Sequence, residues 1–429
     1  METPAIYTIY QQHPQICNDT RNISAGCIYW AIKGERFDGN TFVQQAFALG
    51  AAYCVVDNPI YAINEKCLLV EDSLKALQEL ATYHRRQLQI PIVAITGSNG
   101  KTTTKELMLR VLSRKLKTFA TPGNLNNHIG LPLSLLQLTK EHEAAIIELG
   151  ANHQGENAFL CEICQPDCGI ITNIGKDHLE GFGGMDGVEK ANMELFDYLR
   201  KHHKMAFVNI DDERIARNIS DIKHFSYSAY MEADIQGEVA AKFPLLKARI
   251  SSKNSGKSFE VETQLFGSFQ LYNLLASTLA GEYFGVETEQ IKQALESYQP
   301  QNNRSQIIKQ NSNTIILDAY NANPSSMGPA VKDFEEYPAE KKVLLLGDMF
   351  ELGHDSATEH KAILEQINYS KFEVVALAGN AFYAFKNEFP AKFFEDTLSL
   401  RKWFEEQNFD GVTFYAKGSR GMRMESVFA

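Results

Sequence analysis

The 429-residue chain contains no apolar run approaching the roughly 18 residues that a membrane-spanning helix requires. Its first residues, METPAIYTIYQQ, have neither a basic start nor an apolar core. They do not read as a secretory signal, and a cytoplasmic location is expected. Positive charge is in deficit: 42 Lys and Arg stand against 53 Asp and Glu, a net charge of −11. That balance excludes a general electrostatic surface for nucleic acid, so an anionic ligand would need a local basic pocket. No repeat of 20–50 residues and no low-complexity tract is present. Cysteine is sparse and odd in number, seven scattered residues, which suits reduced thiols better than a disulfide framework. Cys161, Cys164 and Cys168 have a spacing that could hold a metal or cluster. They sit in the apolar segments AFLCEIC and CGIITNI, however, and buried packing is the preferred reading.

With 44% hydrophobic and 22% charged residues, the chain has the composition of an ordinary globular protein and the length for two to four domains. Its most informative stretch is IVAITGSNGKTTTKE, Ile92 to Glu106. The run Ile92-Val93-Ala94-Ile95 reads as a buried strand, and Leu107, Val111 and Leu112 fall on one face of a following helix. Between them, Gly97, Ser98, Asn99, Gly100, Lys101, Thr102 and Thr103 form a candidate phosphate cradle. Gly97 and Gly100 permit close backbone approach, and loop N–H groups with the helix's positive end would face an anion. Lys101 would meet β/γ-phosphates, and Thr102 would offer a hydroxyl to Mg²⁺. The first glycine of the common G-x-x-x-x-G-K-[ST] pattern would fall at Ile95, so the loop is a shorter G-x-x-G-K-T. It implies a bound nucleoside triphosphate.

Three α/β segments are expected. Residues 1–88 alternate short strands (27–32, 52–56, 67–70) with helices (41–49, 73–86). The polar loop Lys33-Gly34-Glu35-Arg36-Phe37-Asp38-Gly39-Asn40 reads equally as a solvated turn or as an anion site. Pro91 favours a boundary near residue 89. Residues 89–300 read as a doubly wound domain with strands at 91–96, 144–149, 169–174 and 205–210. Runs such as AAIIEL and GIITNI suit strands of a parallel sheet buried on both faces. Glu148 at one strand end is either a plain edge carboxylate or a Mg²⁺ ligand, and the second reading is favoured. His178 alone would be a packing residue. Residues 301–429 restart the rhythm with strands at 314–317, 342–346, 374–378 and 412–415. Their ends carry Asp318, Asp348, Asn380 and Lys417-Gly418-Ser419, which suggests one more ligand edge.

The motifs GSNGKTTTKE (97–106), GNLNNHIGLPLSLL (123–136), IIELGAN (146–152), ITNIGKDHLEGFG (171–183), LDAYNANPSSM (317–327) and LLGDMFELG (345–353) occur in this order. Together they resemble the Mur ligases of peptidoglycan synthesis, over nearly the whole chain. YNANPSSM followed by GDMFELG, and the run TRNISAGCIYWAIKGERFDGNTFVQQAFALGA (20–51), are most similar to the branch that adds D-alanyl-D-alanine to UDP-N-acetylmuramoyl-tripeptide. The resemblance implies a UDP-sugar domain (1–88), an ATP domain (89–300) and a Rossmann-like C-terminal domain (301–429), acting as a monomer with moving domains. It also implies phosphorylation of the peptide carboxylate by ATP with Mg²⁺, followed by amine attack on the acyl phosphate.

Residue by residue, the resemblance places Lys101 on the β/γ-phosphates and Thr102 and Glu148 on a first Mg²⁺. His178 would ligate a second. Asn126 and Asn127 would line the γ-phosphate side, Asn273 would lie near the adenine, and Arg304 would reach the phosphates across the domain boundary. Asp318, Asn321 and Asn323 would contact nucleotide or hinge. Thr20, Arg21, Lys33 and Gly34 would meet the UDP-sugar, and Asp348, Lys417 and Ser419 would close the peptide side. Related ligases bridge the second Mg²⁺ with a carbamylated lysine four residues before an aromatic. Here that register, counted back from Phe196, falls on Asn192. Lys190 lies roughly 200° away around a helix. Gln270-Leu271 stands where His-Asn often occurs, and Thr20 in place of Ser. Two competing readings remain: another amide ligase of the same superfamily, and a nucleotide-dependent regulatory protein that lost catalysis, which Asn192 motivates.

Overall fold

A computed structural model describes residues 1–34 and 37–429. Three sheets follow one another along the chain, each closed on its faces by helices. The first has four parallel strands in sequential order, Ile16–Cys17, Ile28–Trp30, Tyr53–Val56 and Cys67–Leu69. Helix Ser73–Gln87 starts at Asp72, whose carboxylate accepts from Lys75 N–H at 2.9 Å, a normal cap. Its Leu77, Leu80 and Ala81 are fully buried at helical spacing. An N-terminal helix, Thr3–Gln12, packs on it and was not foreseen from the sequence.

The central sheet has nine strands. At its heart Ile92–Thr96 lies between Ala144–Glu148 and Cys168–Ile171, all parallel, with Met205–Asn209 beyond. This order sends the carboxyl ends of three buried strands to one edge, where ligands collect in open α/β sheets. The sequence reading located these strands but not the rest of the sheet. Thr118–Ala120 forms one edge, and His224–Ser228, Ile235–Ala241, Lys247–Ser252 and Ser258–Glu262 extend the other, the last two antiparallel. The antiparallel pair alternates, with Ala248, Ile250 and Val261 buried between exposed Arg249, Glu260 and Glu262. The loop helix Lys101–Leu112 buries Leu107, Val111 and Leu112 as expected, packing on Leu271–Tyr283.

The third sheet runs in the order Gln306–Gln310, Asn313–Asp318, Val412–Lys417, Lys341–Gly347, Val374–Ala378, Lys392–Phe394. It is parallel except for the opening hairpin, which turns at Asn311-Ser312. Cys161, Cys164 and Cys168 are buried, and burial pushes the thiols of Cys164 and Cys168 up to about 12.

Two seams join the three sheets. In the first, Arg85 of helix Ser73–Gln87 is buried and donates to Cys164 O (3.0 Å), Leu88 O (2.8 Å), Gln165 O (3.1 Å) and Asp167 Oδ2 (2.8 Å). Beside it, Tyr10 Oη donates to Leu136 O at 2.5 Å. In the second, Phe266 packs against Phe334 and Tyr415 with ring centroids 6.5 and 5.4 Å apart. The chain crosses this seam at Gln301–Ser305, where Asn302, Asn303 and Ser305 adopt φ of +58°, +59° and +51°. Non-glycine residues occupy that left-handed region only when surroundings hold them there.

Arg85→Ala removes the side-chain donor of three carbonyls, while Asp167 keeps Ile92 N–H and Lys204, and should cost about 2 kcal/mol or more in the first urea transition. Arg21→Ala, at an ion pair whose arginine side chain is 87% exposed, should leave the midpoint unchanged.

Candidate active site

A cleft of about 830 Å³ opens where the carboxyl edge of the central sheet faces the third sheet. Its floor is the Gly97–Thr103 loop. Gly97 (φ +129°) and Gly100 (φ +82°) both need the absence of a side chain. A Cβ at Gly97 would sit 2.1 Å from Thr172 Oγ1, and one at Gly100 would sit 2.7 Å from Asn273 Oδ1. The two residues directly after the neighbouring strand Cys168–Ile171 clamp the loop. Thr172 Oγ1 and Asn173 Nδ2 donate to Asn99 O at 2.7 and 2.9 Å. Asn173 Oδ1 accepts from Asn99 N–H at 3.1 Å, and Asn173 O accepts from Ser98 N–H at 2.9 Å. The helix that follows has no side-chain cap, so the amides of its first turn face the cleft unsatisfied, a preformed anion site.

The cations of the cleft are already engaged. Lys101 Nζ folds back onto Gly97 O and lies 4.0 Å from Asp177 Oδ2. Arg304 stacks on Tyr320, with its guanidinium carbon 3.6 Å from the ring centroid. Lys417 Nζ donates to Asp318 Oδ2 at 2.6 Å. Opposite them, Glu148 is 2% exposed. Its Oε1 accepts from Asn126 Nδ2 at 2.9 Å, while its Oε2 has no hydrogen-bond donor and only Lys105 Nζ at 3.8 Å. Lys105, fully buried, is itself spent on Thr121 O (2.7 Å) and Gly123 O (3.1 Å), so it ties the Asn126 loop to the strand end.

Of the residues expected from the sequence, Ser98, Asn99, Gly100, Lys101, Thr102 and Thr103 line the cleft. So do Asn126, Asn127, Glu148, His178 and Asn273 from the central sheet, and Arg304, Asp318, Asn321 and Lys417 from across the seam. Gly97 lies just beneath, under Thr172.

Other expected residues are committed to protein partners in this structure. His178, expected as a metal ligand, turns Nδ1 to the Glu351 carboxylate and has Nε2 3.5 Å from Asp177 Oδ1, so both ring nitrogens face carboxylates. Asp348, expected on the peptide side, is buried away from the cleft. It accepts the amides of Ala381 (2.9 Å) and Phe382 (3.0 Å) at the start of helix Asn380–Tyr383. Ser419, expected beside it, is likewise consumed inside: Oγ accepts from Phe350 N–H at 2.8 Å. Lys190 is exposed on the outer face of its helix, as its angular offset required. Asn192 is buried, accepting from Thr96 Oγ1 at 3.1 Å and donating to Val188 O at 2.9 Å. It props the strand that carries the loop.

Thr20, Arg21, Lys33 and Gly34 do not line this cleft. They cluster past the carboxyl ends of the adjacent parallel strands Ile16–Cys17 and Ile28–Trp30. There Asp19 caps Thr20–Asn22 and pairs with Arg21 at 2.6 Å, and Gly34 N–H donates to Phe37 O at 2.9 Å. Glu35 and Arg36 of that loop lie outside the described residues. The sequence reading missed the Thr172-Asn173 clamp, the buried carboxylate of Asp177 and the Tyr320 platform. Small polar residues directly after a buried strand are the local signal for the first. The others depend on pairing across the seam. Among the described residues, no cluster of three or more His, Cys, Asp or Glu side chains is arranged to hold a metal by itself.

Three family models match in the order of the sheets. "Mur ligase family, catalytic domain" covers residues 15–85, "Mur ligase middle domain" 95–281, and "Mur ligase, glutamate ligase domain" 303–403. A curated protein of Bacillus subtilis, UDP-N-acetylmuramoyl-tripeptide–D-alanyl-D-alanine ligase, is 33% identical over 431 residues, covering 96% of this chain and 92% of that protein. The chain belongs to the Mur ligase family. Among solved Mur ligases, MurF from Acinetobacter baumannii superposes with a TM-score of 0.86 at 32% identity, covering 96% of this chain and 92% of that one. MurF from Thermotoga maritima, solved in complex with ADP, superposes with a TM-score of 0.85 at 26% identity, covering 96% of each chain. The Mur ligase fold of three α/β units is thus that of this chain.

Two outcomes are expected. Gly97→Ala should weaken ADP binding at least tenfold by calorimetry, because its Cβ displaces the clamp. The second concerns the contact between His178 and Glu351. Burial pulls the His178 imidazolium down, but Glu351 and Asp177 outweigh it and raise the value above 6.5. His178 in turn holds the Glu351 carboxyl below 4.5. The pair's contribution is therefore complete between pH 4.5 and 6.5 and is lost as pH rises through the raised histidine value. The melting temperature should fall slightly as pH rises above 6.5, and His178→Gln should remove that slope. Glu351 is half-exposed, so the slope is shallow.

Proposed function

We propose that this Mur ligase is an ATP-dependent amide ligase that joins D-alanyl-D-alanine to UDP-N-acetylmuramoyl-tripeptide, giving the pentapeptide, ADP and phosphate. One observation carries the chemistry. An uncapped glycine loop with its lysine shares a cleft with Arg304 and Lys417 from across the seam, and with a buried carboxylate that has one free oxygen. The relatives' printed activity and the ADP complex of one neighbour support the substrates.

In this reading the triphosphate lies on the amides of the Lys101–Thr103 turn, near Asn273. Lys101 exchanges its loop carbonyl for β/γ-oxygens. Arg304 and Lys417 bring positive charge from the opposite wall, offsetting the repulsion between a peptide carboxylate and the polyphosphate. Asn126 and Asn127 border the γ-phosphate. The carboxylate attacks Pγ and the bond from Pγ to the β-bridging oxygen breaks, releasing ADP and leaving an acyl phosphate. The neutral amine of the dipeptide then adds to the acyl carbon, and the tetrahedral intermediate collapses to the amide, expelling phosphate, which carries off the proton lost by the amine. Positioning supplies most of the rate.

The orphaned Oε2 of Glu148 fits a divalent cation, and Thr102 offers the matching hydroxyl. Mg²⁺ held there would neutralise phosphate charge in the transition state. Glu148 is oriented for this by Asn126. Asp318 and Asn321 border the nucleotide from the third sheet. The UDP-sugar is assigned to Thr20, Arg21, Lys33 and Gly34, with residues 1–88, 89–300 and 301–429 as the three domains of a cytoplasmic monomer.

The deciding assay is ADP release and amide formation with UDP-linked tripeptides ending in meso-diaminopimelate or lysine. Turnover requiring both tripeptide and D-Ala-D-Ala is expected. ATP binding without stimulated turnover would favour instead the non-catalytic reading that Asn192 motivates. Lys101→Ala and Glu148→Gln should each lower kcat at least about 100-fold with unchanged circular dichroism.

A further inference from the structure

A buried hydrogen-bond chain runs from the loop helix to the third sheet, and its two middle members, Gln270 and Ser305, have no part in the chemistry above. Thr104 Oγ1 donates to Asn273 Oδ1 at 3.0 Å. Asn273 Nδ2 donates to Gln270 Oε1 at 2.7 Å, and Gln270 Nε2 donates to Ser305 Oγ at 3.3 Å. Ser305 N–H donates to Asp318 Oδ1 at 3.1 Å, and Asp318 Oδ2 accepts from Lys417 Nζ and from Tyr415 Oη, the latter at 3.0 Å. Gln270, Asn273 and Ser305 are all buried. The chain touches the ligand side at its first step, because Asn273 Oδ1 occupies the space a Cβ of Gly100 would need.

The crossing point is one contact, Gln270 to Ser305. Ser305 is held at φ +51°, between Asn303 at +59° and the strand Gln306–Gln310. A serine in that conformation is over-determined by its surroundings or relaxes out of it. Its side chain is fixed by Gln270 and its amide by Asp318. The residue immediately before it is Arg304, whose guanidinium lies on Tyr320 in the cleft wall. An amide side chain suits this place because it accepts from one sheet's helix and donates to the other's hinge at the same time.

We propose that Gln270 is a positioning residue that fixes the Ser305 backbone and thereby aims Arg304 at the phosphates, linking the nucleotide loop to the third sheet. This rests on the assignment of Arg304 to the phosphates made above. Gln270 lines the cleft, but both of its side-chain hydrogen bonds go to protein, to Asn273 and Ser305. Its effect passes through Ser305, and so belongs to the transition state in which Arg304 acts rather than to ground-state nucleotide binding.

The test is a double-mutant cycle in the full-length enzyme, with Gln270→Leu, Arg304→Ala and the double variant. kcat, KM for ATP and the ADP binding stoichiometry are measured for each. Gln270→Leu should lower kcat about tenfold per active site while changing KM for ATP less than about twofold, and the double variant should be no slower than Arg304→Ala. Gln270→His keeps one acceptor and one donor and should restore most of kcat. Losses that multiply in the double variant, an unchanged kcat in Gln270→Leu, or a loss confined to melting temperature and active fraction would each overturn the proposal. Full activity of Arg304→Ala would instead remove the phosphate role of Arg304. Should Gln270→Leu not fold, Gln270→Asn, one methylene too short to span both partners, takes its place in the cycle.

Discussion

The site depends on the way one strand end holds another. The Gly97–Thr103 loop is a stretch of backbone with few side chains of its own to fix it, and its amides are useful to an anion only if they point one way. Thr172 and Asn173 enforce that direction with four hydrogen bonds to Ser98 and Asn99. They can do so only because Cys168–Ile171 pairs directly with Ile92–Thr96. Asn192 braces the same strand end from below through Thr96. Preorganisation of this kind removes the entropy that a flexible loop would lose on closing around a ligand.

The electrostatics follow one scheme. The protein carries a net charge of −11, yet the cleft wall holds Lys101, Arg304 and Lys417. Each rests on a partner of its own: loop carbonyls, an aromatic face and a carboxylate. A phosphate arriving there exchanges these partners and does not have to strip fully hydrated cations. Glu148 is the exception, with an acceptor oxygen that protein donors leave free.

Much of this was legible in the chain because it is local. The loop, its strand and its helix announce themselves within fifteen residues, and buried parallel strands are continuous apolar runs. What escaped was set by pairing between distant segments. The strands His224–Ser228 to Ser258–Glu262 follow one another without intervening helices and are rich in exposed polar residues, so nothing nearby marks them as an extension of a parallel sheet. Asp348 and Ser419 occupy strand ends as conspicuous as those of Asp318 and Lys417. Asp348 closes over helix Asn380–Tyr383 and Ser419, two residues beyond Lys417 at the end of one strand, turns to the backbone of Phe350, while Asp318 and Lys417 reach the cleft; only the tertiary pairing separates them. His178 lines the cleft, but its partner Glu351 lies 173 positions away (351 − 178), beyond any local pattern.

The connection between the second and third sheets passes through Asn302, Asn303 and Ser305 in left-handed conformations, with no glycine among them. Glycine there would act as a swivel, open to continuous rotation. Side-chain-bearing residues have only a narrow left-handed well, separated from the broad right-handed and extended ones by forbidden ground. The joint is therefore built from residues with separate backbone wells, which makes it a stiffer connection than a glycine linker of the same length.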